Sequence, residues 1–135
     1  MEAAPAWVVI APPNFAPGIS GTATQYDVLT DRSSMEGLSA EPGRPSFTRD
    51  IFPILRRIAL RQWLDGRALK SFGDLPAQWD TLSQNSAGFR EARRKTFALI
   101  SNCYQDSESG PADDRWLKLT PTQFAILRLM VGRRI

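Results

Sequence analysis

Proline removes a backbone donor and fixes φ, so its placement limits where regular structure can run. Ten prolines occur in this chain of 135 residues, and six of them precede residue 46. Residues 1–45 are therefore expected to be an extended, proline-rich strand and turn region, and residues 46–135 a helical region. The two together make one partial domain. Trp7-Val8-Val9-Ile10 is β-branched and aromatic and is closed by Pro12-Pro13, which reads as a buried strand. Thr22 to Leu29 alternates weakly and reads as a second strand. Ser33 to Pro45 is polar, with two glycines and two prolines, and reads as an exposed loop. The expected fold class is α+β, a short N-terminal strand region followed by three or four helices, as a fragment of a larger fold.

From Ser46 the apolar period changes to that of a helix. Ile51, Ile54, Leu55 and Ile58 follow the i, i+3, i+4, i+7 spacing. Asp50 as N-cap would place Pro53 at the third helical position, where its missing N–H costs nothing. Gly66 would then end the helix. Phe52, Leu60, Trp63 and Leu64 fall outside the stripe, so this helix needs cover on several sides. A short helix is expected over Asp74 to Leu82 and a longer one over Ser86 to Gln105, with Phe89, Ala92, Thr96, Ile100 and Cys103 on its apolar face. Asp106 to Asp114 reads as an acidic loop. The last helix has the clearest start: Thr120 as N-cap, Pro121 at the first position, and Gln123 completing a capping box. Leu119 and Phe124 are spaced as a hydrophobic staple. Phe124, Leu127 and Met130 or Val131 form the apolar face, and Gly132 is the stop.

Composition removes several chemistries. The chain has no histidine and one cysteine. That excludes Ser–His and Cys–His nucleophile pairs, an internal disulfide and a cysteine-rich zinc site. Cys103 falls on an apolar stripe near a helix C-terminus, where the dipole favours the neutral thiol, and reads as a core residue. Asp113-Asp114 reads as a solvated loop pair, because catalytic carboxylates converge from different elements. No phosphate-binding loop or helical metal motif is present. No residue is assigned to catalysis, to a cofactor or to a metal. The apolar run Ala6 to Pro13 is far short of the roughly 20 residues a membrane span needs. No basic region precedes it, so a signal peptide is not expected and the cytoplasm is the default location.

Charge is uneven: the net is −3 over residues 1–45, +5 over 46–105 and +1 over 106–135. Arg90, Arg93, Arg94 and Lys95, with Arg56, Arg57 and Arg61, form the basic excess that would attract an anionic partner. Its plainer reading is a solvated helix face. Four tryptophans, Trp7, Trp63, Trp79 and Trp116, serve either a core or a partner surface.

Three stretches in order resemble one family. They are Trp7-Val8-Val9-Ile10-Ala11-Pro12-Pro13-Asn14-Phe15-Ala16-Pro17-Gly18, then Pro45-Ser46-Phe47-Thr48-Arg49-Asp50-Ile51-Phe52-Pro53-Ile54-Leu55-Arg56-Arg57, then Leu119-Thr120-Pro121-Thr122-Gln123-Phe124, with Tyr26-Asp27-Val28 fitting the same pattern. The set resembles the cysteine tryptophylquinone amino-acid oxidases, the LodA/GoxA-like family of L-lysine ε-oxidase and glycine oxidase. Asn14 departs from it, standing where that family carries an acidic residue. The resemblance implies oxidative deamination of an amino-acid amine, with release of ammonia and hydrogen peroxide. It implies a quinone cofactor built from a Cys and a Trp, and a flavoprotein that matures it. Those two residues lie, in the family, beyond the part resembling Leu119 to Phe124, so neither role passes to Cys103 or to any tryptophan here.

The function expected is thus a segment of such an oxidase, inactive alone, whose partners are the remaining part of the oxidase and the flavoprotein. The apolar breadth of the first helix, and a last helix with nothing after it to cover it, agree with a fragment. The alternative is a small basic helical binding module for an acidic protein or nucleic acid. A third expectation, the weakest on the residues, is a minimal oxidase in which Cys103 joins a tryptophan.

Overall fold

A computed structural model of the chain describes residues 21–38, 44–84, 86–111 and 116–132. Among these the structure is helical, with no strand, which corrects the α+β expectation. The Trp7–Ile10 strand lies outside the described residues. The second expected strand, Thr22 to Leu29, is instead the start of helix α1 (Gln25–Met35). The reason is local. The Thr24 hydroxyl accepts from the Asp27 N–H, and the Asp27 carboxylate accepts from the Thr24 N–H at 2.7 Å. That reciprocal box nucleates a helix more strongly than weak alternation favours a strand. The expected loop from Ser33 begins inside α1, which runs on to Met35. Leu38 N–H donates to the Ser33 carbonyl and Gly37 N–H to that of Ser34, at 2.9 and 3.0 Å. Gly37 has φ +72°, so α1 closes in a Schellman motif that glycine suits best.

The central helix also starts differently. Ser46, not Asp50, is the N-cap, and Phe47–Ile51 forms a π-helical turn leading into α2 (Phe52–Leu60). Asp50 accepts from the Ser46 N–H at 2.7 Å while the Ser46 hydroxyl accepts from the Arg49 N–H. This is a capping box lengthened by one residue, because a π turn bonds i to i+5. The wide turn also precedes Pro53, whose ring would crowd the carbonyl of residue 49 in a regular helix. The apolar stripe holds as expected: Ile51, Ile54, Leu55 and Ile58 are all buried. The chain passes through a 3-10 turn, Arg61–Trp63. The run ends just before Gly66, close to the expected stop, but a new helix begins there. Asp65 caps the Arg67 N–H at 2.8 Å, and Gly66 opens α3 (Gly66–Phe72).

A 3-10 turn, Leu75–Gln78, leads into α4 (Trp79–Ser83), close to the expected short helix. After another 3-10 turn at Ala87–Phe89, α5 runs Arg90–Ser109, so the first part of the expected acidic loop is helical. Helix α6 (Pro121–Gly132) starts as its sequence dictates. The Thr120 N–H donates to Gln123 Oε1 at 3.0 Å, and the Gln123 N–H donates to Thr120 Oγ1 at 3.2 Å.

The core forms where α2, α3, α4, α5 and α6 meet. It contains Ile54, Leu55, Ile58, Phe72, Leu82, Ile100, Leu117, Leu127 and Met130. Trp116 tilts against Phe72 at 5.9 Å, and Trp79 meets Phe52 edge-on at 5.4 Å. Residues 116–120 are not helical, yet most are buried, so their backbone needs other partners. Side chains supply them. Ser107 Oγ accepts from the Leu117 N–H, Arg61 donates to the Trp116 carbonyl, and the Thr22 hydroxyl donates to the Lys118 carbonyl. No helix among the described residues is long and apolar enough to cross a membrane.

Candidate functional site

Helix α1 packs on the core with its polar side. Successive helical residues are 100° apart, so Asp27 and Asp31 share a face. Asp31 Oδ1 accepts from the Thr122 N–H at 2.9 Å and from the Thr122 hydroxyl at 2.7 Å. Asp27 is paired with Arg57 of α2 at 3.1 Å, both side chains being largely buried. Gln123 Nε2 donates to the Thr22 carbonyl at 3.1 Å. None of the residues of α1 is buried. Its large apolar groups point outward, with Tyr26 77 %, Leu29 61 % and Met35 73 % exposed, and Val28 and the following Leu38 exposed as well. An amphipathic helix normally does the reverse.

The Asp27–Arg57 pair lies in a cleft of about 360 Å³ between α1, the π turn with the start of α2, and the start of α6. Tyr26 and Thr30 form one wall, Pro53, Ile54 and Ile126 another, and Arg49, Asp50, Thr122 and Gln123 complete it. The Arg49 guanidinium hydrogen-bonds Asp50 at 3.0 Å and, above all other influences, holds that carboxyl below the usual carboxylate range. Both carboxylates of the cleft are engaged as caps and ion pairs. The buried Arg57 Nε has no hydrogen-bond partner.

A second cleft, about 540 Å³, lies between α3 and α5 and is lined by Arg67, Lys70, Leu99, Cys103, Asp106 and Trp116. The Cys103 thiol is free and buried, as its position on the apolar stripe implied. Trp116 stands on the same wall, with the Arg67 guanidinium 5.7 Å from its ring centre. Arg67 also grips Asp65 and is the main cause of that carboxyl's depressed pKa.

The basic cluster is divided. Arg90, Arg94 and Lys95 are exposed, but Arg93 is buried, only 3 % exposed. Its Nη1 donates to the Gln84 carbonyl at the end of α4, and its Nε has no partner. Burial, then the nearby Arg90 charge, weakens its hold on a proton. The spacing Arg93, Thr96, Ile100, Cys103, Ser107 is a helical stripe, and all five are buried. The sequence signal for a buried Arg93 was therefore present. Trp63 is 72 % exposed, whereas Trp79 and Trp116 pack inward. Asp113, Asp114 and Trp7 lie outside the described residues. Among the described residues no group of three acidic, Cys or His side chains could hold a metal ion.

No protein-family model, no curated protein and no solved structure matches this chain.

Proposed function

We propose that this chain is a docking segment of a larger quinoprotein amino-acid oxidase, with no catalysis of its own. One observation carries the reading. The described stretches that resemble that family meet at one place, although they are far apart in sequence. Tyr26-Asp27 on α1, Arg49 to Arg57 on the π turn and α2, and Thr120 to Gln123 at the head of α6 all border the same cleft. Their side chains act there as caps and ion pairs rather than as acids, bases or nucleophiles. They are a scaffold that fixes α1, and α1 then presents Tyr26, Val28, Leu29 and Met35 outward. Exposed apolar groups gathered on one element are the mark of an interaction surface.

The test is to purify the tagged chain from the cells that encode it and stain the co-purifying bands for quinone by redox cycling. A quinone-positive partner supports the reading. A partner without quinone, or no partner, rejects the oxidase assignment. Amino-acid-dependent hydrogen peroxide from the purified 135-residue chain alone would reject the non-catalytic role.

A second reading is a basic binding module for an acidic protein or nucleic acid, and the exposed Arg90, Arg94 and Lys95 favour it. Cations in the first turns of a helix oppose its dipole, so they gain from an external anion. Binding to duplex DNA at low salt, absent at high salt, would support its nucleic-acid form.

A further inference from the structure

We infer that the outer face of α5 pairs with the same face of a second copy of this chain, antiparallel and about a two-fold axis. The inference does not depend on the oxidase reading. Three observations lead to it.

The first is the division of charge along α5. The exposed residues of its first two turns include Arg90, Arg94 and Lys95 against Glu91 alone. Those of its last turns include Asp106 and Glu108 and no base. The helix dipole favours acids at the start and bases at the end, so most of these charges stand the wrong way round. Arg90 also disfavours the charged form of the buried Arg93. Among the described residues no ion pair engages Arg90, Arg94, Lys95 or Asp106. An antiparallel helix of the same pattern brings anions to the start of α5 and cations to its end.

The second is register. Successive helical residues turn by about 100°. Arg90, Arg94 and Glu108 therefore follow one flank of the exposed face, and Lys95, Leu99 and Asp106 the other. Ala98 and Asn102, small and uncharged, lie between them and allow close approach. A two-fold axis crossing α5 near Ile100, perpendicular to the helix, keeps each flank against its own copy. It sets Glu108 between Arg90 and Arg94 of the second copy, and Asp106 beside its Lys95. Leu99, 40 % exposed, meets its own counterpart. Glu91, the one acid of the first turns, falls opposite Ser109. A single axis thus satisfies both flanks, which is the self-complementarity an isologous contact requires.

The third is what other occupants would meet. A polyanion lying along α5 gains from its first half and is repelled by Asp106 and Glu108 in its second. A second copy meets opposite charges at both ends. The contact is one pair of 20-residue helices. Each is about 30 Å long, and the pair buries less than the roughly 800 Å² per partner of a standard interface. The dimer is therefore reversible and sensitive to salt.

The experiment is sedimentation of the full chain from micromolar to millimolar concentration. At low salt the mass should rise toward twice that of the chain, and at about 1 M salt it should fall back. Lys95→Glu and Asp106→Lys should each weaken self-association by about tenfold or more, because like charges then meet twice per dimer. Both positions are exposed and neither caps a helix, so thermal midpoints should stay unchanged. An equimolar mixture of the two variants should dimerise again, as should the Lys95→Glu/Asp106→Lys double variant, since every reversed side chain then meets an opposite charge. A misfolded variant could not show this rescue. A chain that stays monomeric at millimolar concentration and low salt overturns the inference. So does a dimer that both single reversals leave intact, which lies on another face, or one that neither the mixture nor the double variant restores. Duplex DNA bound by a chain that never dimerises gives the basic end of α5 to nucleic acid and overturns it too. Quinone staining judges the oxidase assignment separately, so the two can fail independently.

Discussion

Asp31 and Thr122 are 91 residues apart and share two hydrogen bonds: a single oxygen of the Asp31 carboxylate accepts both the backbone N–H and the hydroxyl of Thr122. The carboxylate of one helix thereby caps the start of another. The N-terminal N–H groups of a helix lack internal partners and carry partial positive charge, so an anion there is favourable. Asp31 is the principal tie between α1 and α6.

Replacing Asp31 by Ala should therefore free α1 more than it unfolds the core. A loss of about 1–2 kcal/mol is expected from the vacated cap. Hydrogen exchange should show Gln25–Met35 losing protection while α5 and α6 keep theirs. Equal loss across all helices would show that α1 is part of the cooperative core.

At the head of α6, Gln123 serves two neighbours. Its Oε1 accepts from Thr120 and its Nε2 donates to Thr22, and the side chain is buried. Thr120→Ala should cost about 1 kcal/mol, and Gln123→Ala about 1–3 kcal/mol because it also leaves the Thr22 carbonyl unpartnered. The double variant should cost less than the sum, since both act on one capping box. Chemical denaturation of the four proteins measures the coupling.

Arg93 offers a test with opposite signs. Its guanidinium is buried against a carbonyl, and after burial itself the Arg90 charge further disfavours its charged form. Arg93→Met keeps the aliphatic stem and removes the desolvated charge, so stability should be unchanged or rise by up to about 1 kcal/mol. Arg93→Ala removes the stem as well and should destabilise by about 2 kcal/mol. If Met is as harmful as Ala, the bond to Gln84 is worth more than the burial of the charge costs.

Acid should loosen two helix starts. Asp50 and Asp65 have depressed pKa values, chiefly through hydrogen bonds from Arg49 and Arg67. Their unfolded value is near 3.8, and the folded one is lower. The unfolded chain therefore binds protons first as pH falls, so their contribution is full above the unfolded value and is lost as pH drops through the folded one. Thermal midpoints should decline below about pH 4, and the decline should be shallower in the Asp50→Asn/Asp65→Asn double variant. The exposure of Arg49 and Arg67 keeps the effect small.

Elements written in short-range chemistry were legible in the sequence. The Ile51, Ile54, Leu55, Ile58 stripe is buried as spaced, and the Thr120–Gln123 box forms as written. The burial of Cys103 followed from its helical register. Two misreadings had local signals too. Thr24-x-x-Asp27 is a capping box that outweighed a weak alternation, and Gly37 is the left-handed turn that closes α1 two residues after Met35, so the expected loop starts later than Ser33. Asp65 likewise begins α3 where Gly66 suggested only an end. The candidate cleft was not legible, because its walls come from residues 26–30, 49–57 and 120–126.

What the sequence determined by itself is the existence of α2, α4, α5 and α6 and the inward stripe of α2, since caps and the 3.6-residue period act over a few neighbours. Tertiary structure alone decided which way α1 faces. Its own pattern has apolar groups on more than one side, and no local rule orients such a helix. The orientation came from distant groups. Thr122 at the start of α6 and Arg57 on α2 hold Asp31 and Asp27, and satisfying those carboxylates turns Tyr26, Leu29 and Met35 outward. Leaving a buried carboxylate or helix start unpaired costs more than exposing part of an apolar side chain, so the polar contacts set the face.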